Sequence, residues 1–168
     1  MTTSLSLDLS LDDLLNWSDH ERAQWRGWFD ADPARLALPF QPGERFPTVG
    51  SMLAHVFLVE RRHLSRLQGL PVPDAIGVDE RDAAALLAYG DDARRAFRAW
   101  AAAVTPEAAA TTMQVALTGG TLQFTQRKLA LHMVLHEVRH MAQLALVARN
   151  AGAEPPGRHD FLFFPGFA

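Results

Sequence analysis

A chain of 168 residues, 48% hydrophobic and 21% charged, has the length and composition of one globular domain, able to bury roughly 70% of the surface its unfolded chain exposes. A net charge of −3 and a pI near 6.1 supply no concentrated basic face, which argues against nucleic acid as a partner. With no cysteine there is no disulfide frame, no thiolate metal site and no catalytic thiol, so any tightly held transition metal must use His, Asp or Glu.

The opening MTTSLSLDLSLDD lacks the basic start and apolar run of a signal peptide, and no run of about 18 apolar residues occurs, so the expectation is a cytoplasmic protein without a membrane span. Ser10, with Asp12 and Asp13 behind it, reads as the N-cap of a first helix that carries Leu14, Leu15, Trp25, Trp28 and Phe29 and ends before Pro33. After a Pro- and Gly-rich loop, Thr48 caps a second helix with Met52, Leu53, Val56, Phe57, Leu64 and Leu67, which Gly69, Pro71 and Pro73 stop. An alanine-rich third helix runs from about Asp79 to Val104, with Gly90 as its weak point and Thr105-Pro106 as its end.

Between Met113 and Thr125 the period changes: Met113, Val115 and Leu117 alternate, Gly119-Gly120 supplies a turn, and Leu122 and Phe124 alternate again, which predicts a short hairpin. The last helix runs from Thr125 or Gln126 to about Asn150, with Leu129, Met133, His136, His140, Leu144 and Val147 as its apolar stripe and Gly152 as its cap. The aromatic, Pro-broken tail that follows must pack on the helices or on another subunit. The expected fold is therefore all-α: one bundle of four helices over residues 1–168, with a hairpin before the last helix and an irregular tail.

His132, His136 and His140 are spaced by four, so successive imidazoles lie on one helix face. His136 and His140 fall on the apolar stripe and should point inward, where an imidazole needs a partner. The second helix offers His55 in the apolar setting of Met52, Leu53, Val56 and Phe57. His55, His136 and His140 are thus the candidate ligands of one divalent ion, three neutral nitrogens that leave a coordination position open.

Two other readings compete. The string His136-Glu137-Val138-Arg139-His140 matches the H-E-x-x-H of zinc peptidases, yet no Gly or third His follows within the helix. Glu60-x-x-His63 and Glu137-x-x-His140 match the E-x-x-H pair of di-metal bundles, which also need inward glutamates from the other helices; Glu21 and Glu80 are poor candidates. A glutamate next to a ligand histidine points about 100° away from it, which argues against Glu137 as a base. His63 among three arginines and His20 among charges read as surface or rim, His132 as a pocket residue, and His159-Asp160 as a cap, interface element or lid.

The His55 helix with Glu60 and its Leu67-Gln68-Gly69 ending, together with the late His136-x-x-x-His140-x-x-Gln143, resemble the DinB-like (YfiT-like) bundle family over about Leu14 to Asp160. That family commonly reads H-R-G-Q where this chain has His140-Met141-Ala142-Gln143, so only the Gln is kept. The resemblance implies a three-histidine site at His55, His136 and His140 holding a divalent ion such as zinc or nickel, with iron or manganese as further candidates. It also implies a homodimer, and for several relatives a thiol-dependent transferase or isomerase activity that uses a low-molecular-weight thiol. The expectation is a metal-dependent enzyme, of transferase or hydrolase type, acting on a small-molecule substrate; the alternative is a bundle that the metal only stabilises.

Overall fold

The computed structural model describes residues 9–41, 45–117 and 119–166. Helix α1 (Leu11–Ala31) begins at a reciprocal capping box: the Asp13 amide donates to Ser10 Oγ, and the Ser10 amide donates to the Asp13 carboxylate. Thr48 and Ser51 start α2 (Val49–Gln68) in the same way, and Gly69, at φ 66°, ends it. Helix α3 (Ala83–Ala103) starts later than the expected Asp79. The Asp82 side chain accepts from the Ala85 amide and is the cap, while Asp79 closes a turn by accepting from the Asp82 and Arg81 amides.

Thr105-Pro106 does end α3, but Thr105 also caps a one-turn helix, α4 (Pro106–Ala110), which the sequence reading missed because Pro serves equally as terminator and as first helical residue. Strands β1 (Thr112–Leu117) and β2 (Gly120–Thr125) pair antiparallel with Val115 opposite Leu122 and Met113 opposite Phe124. Thr125 then caps α5 (Gln126–Asn150).

Helix α2 packs on α3 and α5, and α1 packs on the same two. The side chains between them form two apolar clusters. One gathers Trp25, Phe29, Met52, Phe57, Leu86 and Leu144; the other gathers Leu15, Leu64, Phe97, Leu129 and Val134. Reading the numbers along each helix, α1 and α5 run from the second cluster to the first, and α2 and α3 run the opposite way. So α5 is antiparallel to α2, and α2 and α3 are parallel, with residues 69–82 carrying the chain back.

Midway along all four long helices a charged layer separates the clusters. Arg22 of α1 donates through Nε to Glu137 and through Nη2 to Glu60, while Arg94 of α3 donates through Nε to Glu60 at 2.9 Å and through Nη2 to Glu137 at 2.5 Å. Ser18 Oγ donates to Glu137 at 2.7 Å, and Arg94 Nη1 reaches Asp19 at 2.6 Å. Arg22, Glu60, Arg94 and Glu137 are all buried. Two positive and two negative charges cancel, and nearly every donor and lone pair is used, which is the condition for buried ions to be tolerated.

Gly90, the expected weak point of α3, has its reason here. Its carbonyl accepts from Arg22 Nη1 at 3.0 Å, and a Cβ on it would lie 2.8 Å from the Phe57 ring. The tail folds back along α1: Trp28 Nε1 donates to the Glu154 carbonyl at 2.7 Å, His159 stacks on Trp25 with centroids 5.2 Å apart, and Phe161 meets Trp17 edge-on at 5.1 Å. Leu162 is 80% exposed, so the tail's apolar side chains are covered only in part.

Candidate metal centre

The antiparallel seam of α2 and α5 sets His55 against His136 and His140, and two turns further along sets His63 against His132. Ring centroids are 5.1 Å apart for His55 and His136, 5.2 Å for His55 and His140, and 4.4 Å for His136 and His140. One nitrogen from each of the three rings lies within 4.8 Å of the other two. Three imidazoles on one tetrahedral ion, with metal–nitrogen bonds of about 2.0 Å, hold their nitrogens about 3.3 Å apart. The Nε2 atoms of His136 and His140, at 3.1 Å, are already near that spacing, and the His55 nitrogen lies within 4.8 Å of both ligand atoms.

One proton is also placed for ligation. His140 Nδ1–H donates to Gln143 Oε1 at 2.6 Å, one turn on, which leaves the His140 Nε2 lone pair facing His136. Burial lowers the pKa of all three rings. His55 is pushed down to about 4 by burial, with His140, Arg45 and Arg62 adding to it, and His136 to about 3 by burial and its histidine neighbours. Near pH 7 the three are neutral donors, the form a metal takes. Phe46, with its ring 4.5 Å from His55, walls the site on the side of the loop before α2.

Two cavities flank the triad. One, of about 380 Å³, includes His55 and Phe46 together with Leu58, Arg62 and Ile76. The other, of about 290 Å³, lies at His63 and His132, and the His132 ring that lines it stands 5.5 Å from the His136 ring.

The three histidines picked out from the sequence therefore meet, but not as pictured. The buried residues of α5 are Leu129, Ala130, Met133, Val134, Glu137, Met141, Leu144, Ala145 and Ala148, so the core face is centred on Glu137. His136 and His140 sit half-buried at its flank. The stripe reading went astray because Glu137, counted as polar, is the residue that points inward, neutralised by arginines from α1 and α3.

This also answers the two competing motifs. Glu60 and Glu137 meet each other through Arg22 and Arg94, not through histidine nitrogens, and Glu137 is held ionised: burial alone would raise its pKa, but Arg22 and Arg94 bring it well below the usual carboxylate range. Glu21 accepts from His159 Nδ1 at 2.6 Å, so His159 belongs to the tail's docking on α1. His20, read as surface, is half-buried and touches Phe164. His63 is half-buried rather than solvated, and accepts from Arg66 Nη1 through Nδ1 at 3.2 Å.

The part of Gln143 went unseen in the sequence, although its place three residues after His140 was the available signal. Arg22 and Arg94 gave none beyond an inward position on an otherwise apolar face. Among the described residues, no helix is long and apolar enough to cross a membrane.

A family model described as DinB family matches residues 1–165, nearly the whole chain. No curated protein matches it. The chain belongs to the DinB family.

Proposed function

We propose that this member of the DinB family holds one divalent metal ion between α2 and α5 through His55, His136 and His140, and works as a metal-dependent enzyme of thiol-dependent transferase or hydrolase type. The observation that carries the reading is the convergence of three neutral imidazoles from two helices, with ligand nitrogens within 4.8 Å and one proton already directed away by Gln143. We read the four long helices, each against two neighbours, as the expected four-helix bundle in which such a site sits between facing helices.

An ion held by three imidazoles supplies Lewis acidity that brings the pKa of a coordinated water or thiol toward neutrality. The chain's own residues do the rest. Gln143 fixes the His140 tautomer, Phe46 restricts the His55 ring, and the half-buried setting keeps the imidazoles unprotonated. With no cysteine in the chain, a reacting thiol comes from outside, as a small molecule. Glu137, bonded by two arginines and a serine, is not free to serve as the base of a peptidase mechanism. Imidazole suits zinc, nickel, copper and iron alike; zinc or nickel is the first choice on family grounds.

The test is elemental analysis of untagged protein, comparing wild type with His55→Ala and His136→Ala. About one ion per chain, lost in both variants, is the expected result. Wild-type protein that carries no ion and takes up neither zinc nor nickel overturns the reading. Two ions per chain that persist in His55→Ala point instead to a di-metal site.

A further inference from the structure

The cavity beside the triad has a composition of its own. His63 of α2, Lys128, Leu129 and His132 of α5, and Leu122 and Phe124 of β2 line an open cavity of about 290 Å³. Leucine and phenylalanine make its wall, and its charged side chain is a lysine; among the described residues, no aspartate or glutamate lines it. The Arg66 guanidinium stands 3.2 Å behind His63, and because an arginine only donates, His63 accepts through Nδ1 and keeps Nε2–H as a donor.

Leu122 is 53% exposed, although Val115, directly opposite it on β1, is 3% exposed. An apolar side chain left open at the mouth of an apolar cavity, with a cation on the rim and the His63 N–H as a donor, is complementary to a molecule that is apolar along its body and anionic at one end. The ring of His132 places the cavity next to His136.

We propose that this cavity is the substrate subsite of the metal centre and takes a small organic carboxylate with an apolar, ring-sized body. The body lies against Leu122, Phe124 and Leu129, and the carboxylate meets Lys128 and the His63 N–H. Its role as a subsite rests on an ion at His55, His136 and His140; the binding itself does not.

The probe is 3-phenylpropionate, titrated into the full chain and followed by backbone amide chemical shifts, with 3-phenylpropanamide as its neutral counterpart. Saturable shifts are expected at Leu122, Phe124, Leu129 and His132, with the amide bound about three- to fivefold more weakly, the range for a partly exposed charge pair. Lys128→Met should remove that difference, and Phe124→Ala should weaken both ligands. Equal binding of acid and amide, or shifts confined to other residues, overturns the proposal.

The same titration of His55→Ala separates this proposal from the metal reading. Unchanged carboxylate binding there, with a wild type that holds no ion, keeps the cavity and removes the metal centre. An ion-loaded wild type without shifts at the four residues removes the cavity and keeps the centre.

Discussion

Replacing Arg94 by Met is expected to lower the free energy of unfolding by about 3–5 kcal/mol, the cost of leaving a buried ion without its partner. The magnitude follows from the layer between the two apolar clusters. Arg94 is 5% exposed and bonds Glu60, Glu137, Ser18 and Asp19. Methionine fills most of its volume, so the loss is electrostatic: Arg22 alone then faces two buried carboxylates, and the layer carries one uncompensated negative charge. For a chain of this size the loss corresponds to a fall in Tm of roughly 6–20 °C, read by thermal and urea unfolding at pH 7.

Adding Glu60→Gln to Arg94→Met restores neutrality and should recover at least half of the loss. The pH profile gives an independent check. Glu137 has a depressed pKa in the folded state, so its contribution is present above the unfolded value near 4.5 and is lost as pH falls through the folded one. With one arginine removed the folded pKa rises, and the decline in stability below pH 4.5 becomes shallower than in wild type. A loss under about 1 kcal/mol, or a double variant no more stable than the single one, would refute the view of the layer as a mutually compensated set.

Gln143→Leu should weaken zinc binding about 10- to 100-fold without unfolding the protein, measured by competition with a chromophoric chelator, because His140 loses the acceptor that fixes its tautomer. The metal-free protein should lose stability as pH falls from about 6.5 toward 4, since the unfolded histidines take up protons there while His55 and His136, with folded pKa values of about 4 and about 3, do not; a flat urea midpoint across that window would contradict the assigned environments. Gly90→Ala, usually favourable in a helix, should here destabilise by about 1–3 kcal/mol by pressing a methyl group into the Phe57 ring, as urea unfolding would report.

The parts legible in the sequence were those written in local chemistry. Ser10, Thr48 and Thr125 mark helix starts because a side-chain oxygen must satisfy free amides within three residues. Gly69 marks an end because it takes a positive φ at no steric cost. The hairpin followed from a change of period, and the histidine pair of α5 from its spacing of four. The addition of His55 to that pair needed only that a bundle-core site draw on a facing helix.

What only the tertiary structure decided is which residue of each helix faces which neighbour. Neither the rotation of α5 that puts Glu137 inward and the histidines at the seam, nor the meeting of Arg22 and Arg94 with the two glutamates across separations of up to 115 residues, leaves a trace in local pattern. A buried charge looks like a surface charge until its partners, held on other helices, are known. The sequence by itself determined the helices and the donor atoms; the packing of four helices determined which charges cancel, and so where the imidazoles are left to converge.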